Sequence, residues 1–87
     1  MKDGYPTITE VGGGKLKRVW KLNGEHRYVD HISGYAIIYL FRSLPTPKHY
    51  GLVKDKNGNI INKKIYEDLR SAAEAAERHL TKIGLLK

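Results

Sequence analysis

The sequence predicts an α+β fold, in which a small antiparallel sheet of three to five strands packs on one C-terminal α-helix. Residues 35–41 form a run of seven apolar or aromatic residues, a composition typical of a strand. Because this run does not alternate, both faces of the strand should be covered. Residues 69–83 repeat apolar residues at three- and four-residue steps, which is typical of an amphipathic helix.

The chain has 87 residues, the length of one domain with room for two layers. We expect a flexible N-terminal arm over residues 1–14, with a glycine breaker at residues 12–14, and a single sheet-plus-helix domain over residues 15–87. Residues 5–11 alternate like a strand, but Pro6 limits them to an edge strand or to no strand. Cysteine is absent and no apolar run could span a membrane, so we expect a cytoplasmic protein without membrane contacts.

The first predicted strand covers residues 15–22, where basic and apolar residues alternate. Because successive side chains of a strand point to opposite faces, one face would carry Leu16, Arg18, Trp20 and Leu22. The other face would carry Lys15, Lys17, Val19 and Lys21. Asn23-Gly24 then predicts a two-residue hairpin turn, with residues 25–29 as the returning strand.

Residues 35–42 follow as the central strand, and a proline-containing loop leads to two more strands at 49–54 and 59–65, joined by a turn at Asn57-Gly58. Asp68 is the predicted N-cap of the helix, and Ser71 with Glu74 is a rival capping box. Gly84 is the predicted end of the helix.

The positive charge is concentrated in the predicted strands. The formal net charge is +7; residues 1–65 hold twelve bases and five acids, whereas residues 66–87 hold four of each. A one-sided basic balance indicates a polyanionic partner. The alternative is that the charge only keeps a small protein soluble.

Three lysines on one face of the first strand, Lys15, Lys17 and Lys21, would follow each other at about 6–7 Å per two residues, which approaches the spacing of phosphates along a nucleic-acid strand. Alternatively, they protect a solvated edge strand against aggregation.

Aromatic residues share one side of the central strand. Alternate residues of a strand lie on the same face, and here they are Tyr35, Ile37, Tyr39 and Phe41. The opposite side, with Ala36 and Ile38, is small and aliphatic and suits packing under an alanine-rich helix. We therefore expect the aromatic side to face away from the helix, where Tyr39 and Tyr50 could stack on bases. The alternative is that the arm or the partner of a homodimer covers it.

Catalytic and metal-binding patterns are weak. His26, Asp30 and His31 lie around one strand end with no spacing that makes them converge, and four scattered histidines are a poor zinc site. The glycines at 12–14 are not part of a Gly-Lys-Ser/Thr sequence, which ends a phosphate-binding loop. We expect a protein that is not an enzyme and carries no cofactor or metal.

The second half of the chain, a strand hairpin followed by residues 66–76 (Tyr-Glu-Asp-Leu-Arg-Ser-Ala-Ala-Glu-Ala-Ala), resembles in layout the arm-binding domains of phage-type integrases. It is also similar to the last strands and helix of double-stranded-RNA-binding domains, although their first helix is missing. The likeness covers residues 35–80. The integrase resemblance implies that a three-stranded sheet enters the major groove, with residues 25–29, 35–42 and 49–54 against DNA.

The sequence thus predicts a non-enzymatic nucleic-acid-binding accessory protein of phage or mobile-element type, with DNA favoured over RNA. The predicted contact residues are Lys15, Lys17, Arg18, Lys21, Arg27, Tyr39, Tyr50, Lys54 and Lys63. The alternative is a small phage-encoded inhibitor, of anti-CRISPR or anti-restriction type, that docks on an acidic host protein surface or a nucleoprotein complex.

Overall fold

The computed structural model describes residues 8–40 and 49–86, which form one antiparallel sheet and one helix. Each strand pairs with the next along the chain, so the order in the sheet is the order in the sequence. The elements are β1 (Glu10–Val11), β2 (Trp20–Leu22), β3 (Arg27–Val29), β4 (Ala36–Tyr39), β5 (Tyr50–Lys54), β6 (Ile60–Tyr66) and α1 (Leu69–Lys82). The α+β prediction is confirmed, but three to five strands is wrong because the described residues form six.

The additional strand, β1, lies within the predicted arm. It pairs with β2 through Glu10 opposite Lys21 and Val11 opposite Trp20. Arg70 of the helix then donates hydrogen bonds of 3.0 Å to the carbonyls of Gly12 and Gly13. Residues 8–14 are therefore linked to both layers, and residues 1–7 lie outside the described part of the chain.

The predicted strand over residues 15–22 is wrong for its first five residues, which form a loop, and only Trp20–Leu22 is a strand. Leu16 turns into the core, where it is 6% exposed. The backbone N–H groups of Lys17 and Arg18 donate to the Glu77 carboxylate of the helix instead of to a neighbouring strand. The hydrogen bonds to Glu77, which is distant in sequence, therefore prevent the strand that the alternation of basic and apolar residues predicts.

The predicted hairpin is present, since β2 and β3 pair antiparallel. Its turn is longer than the predicted two residues, because residues 23–26 connect the strands. Gly24 has a φ of 84°, and the Asn23 N–H donates to the Arg27 carbonyl at 2.6 Å. A four-residue connection therefore joins the strands that the Asn-Gly signal predicts to pair.

Both faces of β4 are covered at its start, as the sequence predicts, because Ala36 and Ile37 are consecutive and both buried. The strand lies between β3 and β5. The predicted continuation to Phe41 and Arg42, and the proline loop, fall outside the described residues.

The helix begins and ends as predicted. The Asp68 carboxylate accepts a 2.8 Å hydrogen bond from the Ser71 N–H, so Asp68 is the N-cap. At the other end Gly84 has a φ of 86°, and the N–H groups of Gly84 and Leu85 donate to Thr81 and Leu80. This is a Schellman ending, which needs a left-handed residue where glycine stands.

The helix packs on the aromatic side of the sheet, so the expectation that this side faces away is wrong. Tyr35 and Ile37 belong to the core cluster with Ala72, Ala73 and Ala76. The physical reason is complementary volume: small alanines leave room for large side chains on the facing strands. Trp20 and Tyr28, both 0% exposed, fill the same layer.

Because the helix covers this side, it no longer supports a homodimer through the aromatic face. Val29 and Ala36 are buried outside that cluster and lie on the opposite side of the sheet by period two. Within the described residues, no helix is long and apolar enough to cross a membrane.

Candidate nucleic-acid interface

The sheet face away from the helix carries four basic residues around an apolar centre. We call it the basic sheet face and define it by Lys21, Arg27, Lys54 and Lys63 with Val29, Ala36 and Ile38. One row crosses four strands in register: Lys21 lies opposite Val29, Val29 opposite Ala36, and Ala36 opposite Lys54. In the next row Arg27 lies opposite Ile38. Gly51 lies opposite Ile38, and Ile65 lies opposite Gly51, so Ile65 is on this face. Lys63 lies two residues before Ile65 and therefore points to the same face.

The basic residues are spread across the sheet rather than along one strand. Lys21 and Lys54 are three strand spacings apart, which is about 14 Å between backbones. Lys21, Arg27 and Lys63 are exposed, and Lys54 is half-buried. Positive charge on this face therefore covers a width comparable to the major groove of B-DNA, about 12 Å.

Acidic side chains offset part of this charge, since the exposed Glu10 lies opposite Lys21, whereas other acids are engaged within the protein. Asp30 and Glu77 are 1% and 6% exposed, and both accept hydrogen bonds from the protein itself. The Asp55 carboxylate accepts from the N–H groups of Asn57 and Asn59 in its own turn, which lowers its pKa below the ordinary value. On the basic sheet face, Glu10 is the acid that the register places opposite Lys21.

Lys15 and Lys17 lie elsewhere, because residues 15–19 do not form a strand. Both line a cavity of about 310 Å³ beside the helix, together with Glu74, Arg78 and Thr81. The predicted row of lysines at phosphate spacing along one strand is therefore not formed, and of its members only Lys21 lies on the basic sheet face.

Arg18 is committed to the protein's own structure. Its side chain is 17% exposed, with Nε 3.6 Å from the Asp30 carboxylate. A terminal N–H of its guanidinium donates to the Leu85 carbonyl at 2.9 Å. Arg18 thus connects the loop before β2, the turn after β3 and the end of the helix, and its groups point into the protein.

The two predicted stacking residues, Tyr39 and Tyr50, also lie on the helix side of the sheet. Their ring centroids are 5.0 Å apart, and Tyr39 also stacks on His26 at 6.2 Å. Tyr50 is 9% exposed and contacts Tyr28, whose ring centroid is 5.9 Å away. Burial raises the pKa of both Tyr28 and Tyr50 above the ordinary value of 10.0. These rings belong to the core.

The described residues, 8–40 and 49–86, contain no cluster of metal ligands. Nowhere in those ranges do three or more histidine, aspartate or glutamate side chains come together in a way that could hold a metal ion.

The chain matches no family model, and no curated protein or solved structure is significantly similar to it. The layout resemblance to the integrase domains therefore stays a prediction.

The sequence does not predict the structural roles of two buried acids, Glu77 and Asp30. A signal for Glu77 was present: it lies four residues after Ala73 and three before Leu80, on the buried stripe of the helix. An acid within such a stripe needs buried donors. Asp30 begins a turn with Ser33 three residues on, and aspartate commonly bonds to backbone N–H groups in such a turn.

Proposed function

We propose that this protein is a non-enzymatic nucleic-acid-binding accessory protein that contacts phosphates of duplex DNA through the basic sheet face. The observation that carries the proposal is the placement of Lys21, Arg27, Lys54 and Lys63, from four different strands, on the sheet face opposite the helix. The helical segment, residues 66–87, has balanced charge. The excess positive charge therefore lies in the part of the chain that contains the strands, and four of its basic residues lie on the side of the sheet that is proposed to meet the polyanion.

The proposed mode of binding is charge contact rather than stacking. Because Tyr39 and Tyr50 lie on the helix side of the sheet, the basic sheet face offers cationic groups, the half-buried Ile38 and, opposite Lys54, the exposed Ile60. Such groups suit phosphates and thymine methyls in the wide major groove of B-DNA. The deep, narrow major groove of duplex RNA would not admit a sheet, which favours DNA.

The test is a salt series of binding to duplex DNA, duplex RNA and single strands. We expect micromolar or tighter binding to duplex DNA at about 0.15 M salt, with a steep dependence on salt. Lys21→Gln and Lys54→Gln should each flatten the slope of log K against log salt by about one unit. The matched control is Lys82→Gln, an exposed lysine in the last turn of the helix, which should leave the slope unchanged. Wild-type slopes in both lysine variants would refute the proposed face.

A second candidate function is favoured by the apolar centre of the same face. Ile60, opposite Lys54, is 44% exposed and Ile38 is half-buried, whereas Val29 and Ala36, at 7% and 6% exposed, are too buried to contact a partner. A basic rim around aliphatic residues also fits an acidic protein surface, as a small phage-encoded inhibitor would need. Such an inhibitor would have no useful affinity for free nucleic acid at physiological salt and would co-purify with a host protein, so the same salt series separates the two functions.

A further inference from the structure

The turn between β3 and β4 presents an isoleucine to solvent. Ile32 is 75% exposed, more than any other large apolar residue in the described part of the chain. The carboxylate of Asp30 lies beneath it and accepts from the N–H of Ile32 at 3.2 Å and of Ser33 at 3.3 Å. It also accepts from the Ser33 hydroxyl at 2.7 Å. The backbone that carries Ile32 is therefore held from inside by a buried side chain.

The turn is further braced by its neighbours. The Gly34 N–H donates to the Asp30 carbonyl at 2.8 Å, and the Asp30 N–H donates to Tyr35 at 3.0 Å. Gly34 has a φ of 80°, and a Cβ there would lie 2.8 Å from Cβ of Lys56. Close packing against the β5–β6 turn thus requires glycine at this position. Because the turn is already fixed, inserting Ile32 into a partner costs little backbone entropy.

Ile32 stands between two depressions. One, of about 250 Å³, lies between Ile32 and the basic side chains of Lys17, Lys21 and His31. The other, of about 350 Å³, lies between Ile32 and Lys56. Since both are lined by Ile32, the isoleucine forms a ridge with cations on each side. Each depression also holds one carboxylate: Asp30, which is paired with Arg18, and Asp55, which accepts hydrogen bonds within its own turn and stays charged.

This ridge is continuous with the basic sheet face. The row from Lys21 to Lys54 passes through Val29 and Ala36, which flank the turn directly on either strand. A duplex lying on the basic sheet face would therefore extend over Ile32 at that end of the sheet.

We propose that Ile32 is a wedge that inserts at a base step of duplex DNA and kinks it, with Lys17 and Lys21 on one side and Lys56 on the other holding the flanking phosphates. This inference rests on the proposed function. Proteins that kink DNA from the minor groove insert aliphatic side chains between base steps and recover the cost of unstacking through the additional contacts of the bent duplex. Ile32 would insert in the same way from the groove that the basic sheet face occupies. The cations on both sides of Ile32 favour duplex DNA as the partner, because insertion of Ile32 would bring one phosphate backbone to each side of it.

The experiment measures bending and binding of the full chain on the same short duplex, labelled at its ends for energy transfer. One duplex has a central TA step, which unstacks easily, and a second has a stiff A-tract there. The variants are Ile32→Ser, Ile32→Leu and the control Ile83→Ser, which removes a 49% exposed isoleucine at the end of the helix. Far-ultraviolet circular dichroism and thermal unfolding check that all variants remain folded.

We expect the wild-type protein to bend the TA duplex by about 20–90° and the A-tract duplex less. Ile32→Ser should abolish the bend, weaken binding about tenfold and flatten the salt slope, because the phosphates beside the wedge are reached only in the bent duplex. Ile32→Leu and Ile83→Ser should bend DNA as the wild type does.

Binding without bending, or the same bend with Ile32→Ser, would overturn the wedge and leave the proposed nucleic-acid function standing. No binding to duplex DNA at about 0.15 M salt would overturn both. In that case Ile32 would be an anchor for a protein partner.

Discussion

Glu77 of the helix and Trp20 of β2 are joined by a buried hydrogen bond, in which the indole Nε1 donates to the carboxylate at 3.1 Å. The same carboxylate accepts from the N–H of Lys17 at 2.8 Å and of Arg18 at 3.0 Å. One side chain thus satisfies three donors of the segment that leads into the sheet. Without it, these donors would be left without a partner beside the core.

Replacing Glu77 should therefore destabilise the whole domain. In Glu77→Gln only one oxygen remains as an acceptor, and the new amide N–H group faces other donors. We expect the free energy of unfolding to fall by about 1–3 kcal/mol, measured by urea denaturation. Glu74→Gln, one turn earlier and half-buried, is the control and should change stability by less than about 0.5 kcal/mol. Equal effects of the two substitutions would contradict this role of Glu77.

Gly51 allows β5 and β6 to approach closely. A Cβ at this position would lie 2.5 Å from the Lys64 carbonyl oxygen and 3.0 Å from Cα of Ile65, both backbone atoms. Gly51→Ala should lower the free energy of unfolding by about 2–3 kcal/mol, because the strands must shift apart. Gly58→Ala has open space but a φ of 85°, and should cost only about 1 kcal/mol. Thermal unfolding of both variants would rank them, and the reverse order would refute the close-approach argument.

Stability should decline in alkaline solution. Burial raises the pKa of Tyr28 and Tyr50 above 10.0 in the folded state, whereas both ionise at the ordinary value when unfolded. A raised folded-state pKa stabilises the fold below the unfolded-state pKa, and this contribution is lost as pH rises beyond about 10. We expect the urea midpoint to fall above pH 10, and to fall less steeply in Tyr28→Phe. Absorbance titration should show tyrosines that ionise only when the protein unfolds.

Arg18 and Lys21 are close in sequence but should respond oppositely to substitution. Arg18→Gln removes the contacts to Asp30 and Leu85 and should lower the free energy of unfolding by about 1–3 kcal/mol, with no change in the salt slope of DNA binding. Lys21→Gln should flatten that slope by about one unit and leave stability unchanged. Calorimetry and salt titrations on both variants test this contrast. A flattened slope in Arg18→Gln with wild-type stability would show that Arg18 meets the ligand.

Features that depend on a few neighbouring residues could be predicted from the sequence. The Asp68 cap, the helix ending at Gly84 and the turn at Asn57-Gly58 each need one residue type at one position, and each is present. The antiparallel pairing of successive strands agrees with the tendency of consecutive elements to lie next to each other in space.

Features that depend on distant contacts could not be predicted. The loop at residues 15–19 has the alternation of a strand, but its N–H groups bond to Glu77, about 60 residues later. The orientation of β4 depended on what the helix alanines meet, and the Tyr35 hydroxyl lies 3.0 Å from Nδ1 of His79 on that helix. Lys21, Arg27, Lys54 and Lys63 were predicted as contact residues, but their shared face follows only from the register.

The sequential strand order also has a kinetic consequence. Each hairpin can form from residues close in the chain, whereas the contacts of Gly12, Gly13 and Lys17 with the helix join residues 57–60 positions apart. Closing so large a loop carries the greater entropy cost, so these contacts should form after the rate-limiting barrier to folding. Substitutions at Glu77 should then accelerate unfolding and leave the folding rate nearly unchanged. The lifetime of the folded state would thus depend on the attachment of the first strands to the last helix.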